Sequence, residues 1–171
     1  MLRILGSCMI LSGFWGMGIM LCKEEEQKLW ILSVWKLSLQ ILCNEIAFRQ
    51  QPVIFALKEC ADKLEGEVGN FYQQVNGRLQ KNQGELLMLW KEELNRYLEK
   101  TKLRFEEKRL IEQLENILGY EDQKMQLGML QMVIESMDNY KKEAEKEKKE
   151  KKKVLMLLST CSGVVMVLLL I

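Results

Sequence analysis

No histidine occurs among the 171 residues, only one is proline, and the five cysteines form no C-x-x-C pair. Lacking His, the chain has no Ser-His or Cys-His nucleophile pair and is without the commonest general base and metal ligand. With one Pro and 11 Gly, turn signals are few and no stretch alternates with period 2 for long, which excludes an all-β sandwich or barrel. There is no G-x-G-x-x-G and no glycine loop followed by Lys-Ser or Lys-Thr, so no phosphate cradle is expected. A net charge of +1, from 25 Lys+Arg and 24 Asp+Glu, argues against bulk electrostatic binding to nucleic acid. Cys8, Cys22, Cys43, Cys60 and Cys161 lack metal-site spacing and read as structural thiols. The carboxylate clusters Glu24-Glu25-Glu26 and Glu92-Glu93 read as solvated helix faces. No catalytic residue, cofactor or metal site is expected.

Charge is also missing from both ends. Residues 1–22 carry only Arg3, and residues 154–171 carry no charged side chain. At 1.5 Å per residue, 18 to 22 apolar residues span roughly 27 to 33 Å, about one hydrocarbon core. Both ends therefore read as transmembrane helices. A cleaved signal peptide fits the first segment poorly, because it ends in Met20-Leu21-Cys22-Lys23 without small residues. Leu5-Gly6-Ser7-Cys8 resembles a lipobox but has no apolar stretch before it. Eight lysines between Lys141 and Lys153 flank the second span and nothing basic follows it. The positive-inside bias then places residues 23–153 in the cytoplasm and both termini outside. Ser12 and Gly16 in the first span, and Ser159 and Gly163 in the second, have the small-xxx-small spacing that lets helices approach in lipid.

Between the spans the pattern is helical almost throughout. Leu32, Trp35, Leu39, Leu42 and Ile46 form one stripe, with Trp30, Val34, Leu37 and Ile41 beside it, which predicts burial on more than one side. Leu29–Leu42 is short for a third span and contains Lys36 and Gln40; a core helix ending near Gln51 fits better, with Pro52 starting a helix over residues 53–64. That helix should bury Ile54, Leu57, Ala61 and Leu64. Breaks are expected at Gly66 and Gly69, then a short helix over 70–79 that carries Phe71, Val75 and Leu79 and contains the turn dipeptide Asn76-Gly77. Leu86, Trp90, Leu94 and Leu98 predict the next helix. Thr101 is expected to cap another, carrying Leu103, Leu110, Ile111, Leu114 and Leu118 and stopping at Gly119. A last helix opens near Asp122, continues through Met129, Val133, Met137, Tyr140 and Ala144, and runs unbroken into the second span.

The expected fold class is all-α: a cytosolic bundle of about six helices over 23–140, a basic helical stalk over 141–153, and a transmembrane helix at each end. The stalk holds eight Lys and four Glu. It reads both as a topology determinant and as a surface for anionic lipid, with Lys151, Lys152 and Lys153 nearest the membrane.

Two local motifs carry a resemblance that covers essentially the whole chain. Glu45-Ile46 is followed by Pro52 and Ala56-Leu57, and Leu118-Gly119 is followed by Asp122 and Gln126; Phe71 and Trp90 fall at aromatic positions. In these the sequence resembles the stage III sporulation protein AB family of endospore-forming bacteria, itself similar to type II secretion F and pilus-assembly platform proteins. Arg49, Val53 and Glu121 depart from the family's Gly, Leu and Ser. The resemblance implies a non-enzymatic platform in the mother-cell membrane, within a secretion-like channel facing the forespore. Its partners would be a secretion-type ATPase and other proteins of that channel, and the residues leave room for a homo-oligomer. A membrane-tethered enzyme with a carboxylate or thiol site, and a lipid-sensing tether, are the competing readings.

Overall fold

The structure is a computed structural model that describes the backbone of residues 2–49, 52–81, 84–115, 117–119 and 122–170. Side chains are described for residues 24–48, 52–81, 84–115, 117–118, 122–151 and 153–154. The order of elements is α1 (Leu2–Arg49), α2 (Val53–Lys63), α3 (Gly66–Gln80), α4 (Leu86–Lys100), α5 (Phe105–Glu112), two 3-10 turns (Gln113–Glu115 and Ile117–Gly119) and α6 (Gln123–Leu170). Among the described residues there is no strand. The chain divides into a unit of Lys28–Tyr140 and a second unit of Met1–Gln27 with Lys141–Ile171.

In the Lys28–Tyr140 unit, α1 supplies the central stripe: Leu32, Trp35, Leu39, Leu42 and Ile46 are buried. The neighbouring stripe is not. Trp30 and Leu37 are exposed, while Val34 and Ile41 lie at the core's edge. Burial on more than one side holds in part: Leu29, Ile31, Ser38 and Glu45 beside the central stripe are buried too, and only the Trp30 and Leu37 edge faces out. The stretch Glu24–Phe48 is long and apolar enough to cross a membrane, but its buried stripe belongs to this core.

Pro52 is the residue before α2 rather than its first, with φ −54° and ψ 144°; its carbonyl accepts from the Phe55 N–H at 2.9 Å. The buried face of α2 is Ala56, Leu57, Cys60 and Ala61, followed by Leu64. Ile54, expected inside, is exposed beside Phe55. The buried set is rotated toward the small residues.

The α3 helix begins four residues earlier than expected. Gly66 has φ +75°, which reverses the chain at its start without a Cβ clash. Gly69 does not break the helix. It sits where an added Cβ would lie 2.1 Å from the Leu64 carbonyl oxygen, so the missing side chain admits the preceding turn. The helix also runs through Asn76-Gly77, because Val75 is buried and core packing outweighs a turn preference worth under 1 kcal/mol.

Thr101 ends α4 rather than opening α5. The start of α5 is closed by Glu107, whose Oε2 accepts the Arg104 N–H at 2.7 Å, a Glu at N3 reaching back as in half of a capping box. The α-helical turn ends at Glu112, and two 3-10 turns carry Leu114, Ile117 and Leu118 into the core. In α6, Gln126, Leu130, Val133 and Met137 are buried, spaced 4, 3 and 4 apart as one helix face requires.

In the other unit α1 and α6 are helical to Leu2 and Leu170, and Lys148 Nζ pairs with Glu26 Oε1 at 2.5 Å. The expected packing residues Ser12, Gly16, Ser159 and Gly163, and the span side chains of 1–22 and 155–171, lie outside the described residues.

Two glycine substitutions should have opposite signs. Gly69→Ala forces a methyl onto the Leu64 carbonyl and should cost about 2 kcal/mol or more. Gly77→Ala, with nothing within 4 Å of the new methyl, should stabilise by about 0.5–1 kcal/mol through the unfolded chain. Urea denaturation of the two purified variants against the parent measures both.

Candidate functional site at the α1, α2 and α6 junctions

The end of α1, the start of α2 and the start of α6 carry the motif residues. Glu45 and Ile46 are both buried in the last turns of α1. The Ile46 carbonyl accepts a hydrogen bond from Gln123 Nε2 at 2.5 Å, which ties the exit of α1 to the first residue of α6. Asp122 caps α6: its Oδ1 accepts the Lys124 N–H at 3.0 Å, and its carbonyl accepts the Gln126 N–H at 2.9 Å. Such a cap satisfies donors that the first helical turn leaves open. The Gln126 side chain then turns inward and donates from Nε2 to the Ile117 carbonyl at 3.2 Å, fastening the 3-10 turn that contains Leu118 and Gly119. Glu45, Ile46, Ala56, Leu57, Leu118 and Gln126 are buried, whereas Pro52 and Asp122 are exposed.

Trp90 lies elsewhere, in a ring cluster of α1, α3 and α4. Trp35 stands 5.1 Å from Phe71, 5.8 Å from Tyr72 and 5.4 Å from Tyr97, centroid to centroid. Phe71 meets Trp90 edge-on at 4.9 Å. The Trp90 indole N–H has no acceptor among the described residues, so this side chain acts by packing. A hydroxyl chain crosses the same region: Tyr72 Oη donates to Ser38 Oγ at 2.8 Å, and Ser38 Oγ donates to the Trp35 carbonyl at 2.6 Å. Ser38 is a polar residue on an apolar stripe, and that was the signal available for this network. Burial holds the Tyr72 phenol well above its ordinary pKa.

Glu93 corrects the reading of Glu92-Glu93 as a solvated face. Its side chain is 2% exposed and is held by Arg78 and by Arg96, each at 2.8 Å, while Glu92 takes the other arm of Arg78 at 2.8 Å. The two guanidinium groups supply charge-assisted hydrogen bonds to a carboxylate at low exposure. Glu93 borders a cleft of about 290 Å³ between α3 and α4, with Glu67, Asn70 and Gln74 on one side and Arg96 and Lys100 on the other. Of the residues that carry the resemblance, Phe71 lines it. Glu107 is a further buried carboxylate and accepts from Tyr140 Oη at 3.2 Å.

As chemistry, these groups offer little. Burial raises the Cys60 thiol to about 12; Lys63 lowers it, and Glu45 and Glu59 push it further up. A thiol in that state is neither nucleophile nor metal ligand at neutral pH. No cluster of three metal-ligating side chains occurs among the described residues. Of the stalk cations expected to meet lipid, Lys151 pairs with Glu147 at 3.1 Å, Lys153 is exposed, and the Lys152 side chain lies outside the described residues.

Fold and site together define a protein that is helical throughout its described residues, with most motif residues at helix ends and Phe71 and Trp90 in the ring cluster. The chain belongs to the stage III sporulation protein AB family, whose profile matches residues 3–171. It is similar in fold to a solved structure of stage III sporulation protein AB, with a TM-score of 0.63 and 19% identity over 72% of this chain and 97% of that one. No curated protein matches the sequence.

Gln126→Leu should lower stability by about 2 kcal/mol, since it removes the amide donor from a buried carbonyl, and should leave the helix content of the folded protein unchanged by circular dichroism. Cys60, with its pKa raised from 9.0 to about 12, favours the folded state fully below pH 9 and loses that contribution as pH rises from 9 to 12. Maleimide or iodoacetamide should therefore label Cys60 at pH 8 only after denaturation, on the order of a thousandfold more slowly in the fold than in a free cysteine.

Proposed function

We propose that the protein is a non-enzymatic membrane platform of a sporulation secretion-like channel between mother cell and forespore. Its two end helices anchor it in the mother-cell membrane, and the 28–140 bundle presents a docking surface in the cytoplasm to a secretion-type ATPase and other channel proteins. Family membership supports the role in sporulation. Glu26–Lys148 is the observation that carries the two-pass architecture. Glu26 lies four residues beyond the charge-poor segment 1–22, and Lys148 six residues before the chargeless segment 154–171. An ion pair between positions so close to the two apolar segments supports a reading in which both enter the same membrane.

The enzyme reading needs a convergent polar site with an activated group. Cys60 is held protonated, and Glu93 is neutralised by two arginines, so that reading draws no support from the buried polar groups. A lipid-sensing tether needs free lysines at the stalk, and Lys148 and Lys151 both have carboxylate partners.

With single cysteines introduced at positions 3, 100 and 171, a membrane-impermeant maleimide should label 3 and 171 from outside intact cells and Lys100→Cys only after permeabilisation. Labelling of position 100 from outside overturns the cytoplasmic platform. Detergent extraction from sporulating cells should co-purify an ATPase component, and its absence under mild solubilisation counts against the docking role.

A further inference from the structure

Asn76-Gly77 is a turn signal that the fold overrides, since α3 runs through it to Gln80. Seven asparagines occur in the chain, and only Asn76 precedes glycine; the others precede Glu, Phe, Gln, Arg, Ile or Tyr. The distinction is chemical. An asparagine side-chain amide is open to attack by the backbone nitrogen of the next residue. A Cβ on that residue hinders the approach, and glycine has none.

Helical geometry holds this reaction back. With ψ near −42°, and the Gly77 N–H bonded to the carbonyl four residues earlier, the nitrogen stands off the Asn76 side chain. The space around the dipeptide does not hold it back. A methyl built on Gly77 meets nothing within 4 Å, and Asn76 is half-buried, so water can enter and ammonia can leave once the backbone turns. Nor does local sequence protect the helix here, because Asn and Gly are both poor helix formers. This end of α3 is held by tertiary contacts on either side of the dipeptide. Val75 before it is buried, and Arg78 after it pairs with Glu92 and Glu93 of α4, at 2.8 Å each.

We propose that Asn76-Gly77 is a self-modification site gated by the Arg78 anchor of α3. When the last turns of α3 open, the Gly77 nitrogen gives its proton to solvent and attacks Asn76 Cγ. The new C–N bond closes a five-membered succinimide, and the side-chain nitrogen leaves as ammonia. Water then opens either carbonyl of the ring, giving aspartate or isoaspartate at position 76. No oxidant, reductant or second protein enters the balance. Both products carry one new carboxylate, which takes the formal net charge from +1 to 0. The isoaspartate product also routes the backbone through the side-chain carbon and lengthens the chain by one methylene. The regular i→i−4 ladder cannot continue across it. Val75 and Arg78 then cannot occupy core and bridge together, and Glu93 is left with Arg96 alone. A chain that has opened at α3 is thereby marked, and the mark is one-way.

The test follows the full chain, purified in mild detergent, at pH 8 in the folded state and in urea. Isoelectric focusing with peptide mapping should place new acid at position 76 in urea. In the folded protein it should form at least about tenfold more slowly, since only the open fraction reacts. Gly77→Ala should remove the product over the same time in both conditions. Arg78→Ala should raise the folded rate toward the urea rate. Glu92→Gln, which removes only the exposed half of the bridge and spares α3 itself, should raise it less. The isolated isoaspartate product should melt below an Asn76→Asp variant, which carries the new charge without the altered backbone. Absence of acid at 76 in urea overturns the site, and equal rates in both conditions overturn the gate. A folded rate unmoved by both bridge variants overturns the part given to Arg78, and equal melting of isoaspartate and aspartate forms overturns the register argument.

Discussion

Trp35 is the constraint on which the packing of the bundle turns. It is fully buried and contacts rings from α3 and α4. Its indole N–H donates to Tyr97 Oη at 3.1 Å, so a large apolar body and its polar edge are satisfied together, as a buried tryptophan requires. Its own carbonyl receives the Ser38 hydroxyl, which in turn receives Tyr72. One residue on α1 thus sets the distance to α3 by ring contact and hydroxyl chain, and the distance to α4 by ring contact and indole bond. Burial also raises the Tyr97 phenol, with the Trp35 bond acting in the opposite direction. Both phenols stay protonated, and the network stays neutral, across the neutral range.

Around that hub the buried carboxylates close the helix junctions. Glu93 joins α4 to α3 through Arg78 and is held within α4 by Arg96. Glu107 caps α5 with one oxygen and receives Tyr140 of α6 with the other. Burying such groups costs several kcal/mol unless they are bonded, and unmaking one bond leaves the charge uncompensated. They therefore discriminate between packings more than they add stability. Tyr140, with its phenol held at about 12 by burial and by the Glu107 charge, remains the donor in its pair.

The stripe through Leu32, Trp35, Leu39, Leu42 and Ile46 was legible because a 3.6 period needs no knowledge of neighbours, and the same holds for Val133 and Met137. Polar residues were read less well. In sequence the charge of Glu93 points to solvent and hides its place one residue before buried Leu94, and the two arginines that hold it sit 15 residues before and three after. Gly69 looked like a breaker, since a close approach to the Leu64 carbonyl is a tertiary fact with no local signal. Thr101 had the chemistry of a helix start, but the chain leaves α4 there and Glu107 supplies the closure of α5 from inside the helix. Of the candidate site, the spacing from Asp122 to Gln126 was visible. The tie from Gln123 to the Ile46 carbonyl, 77 residues away, was not.

The α1 helix also explains why one stretch of this chain passes for a membrane span without needing to be one. Glu24–Phe48 is apolar enough to cross a bilayer because it carries two sets of apolar residues, the stripe in the core and the exposed Trp30, Leu37 and Phe48. A helix that packs on one side only can afford charge on the other, and α4 and α6 do carry it. Keeping charge off both sides of α1 sacrifices solubility along some 27 Å, a cost that surface composition ordinarily avoids.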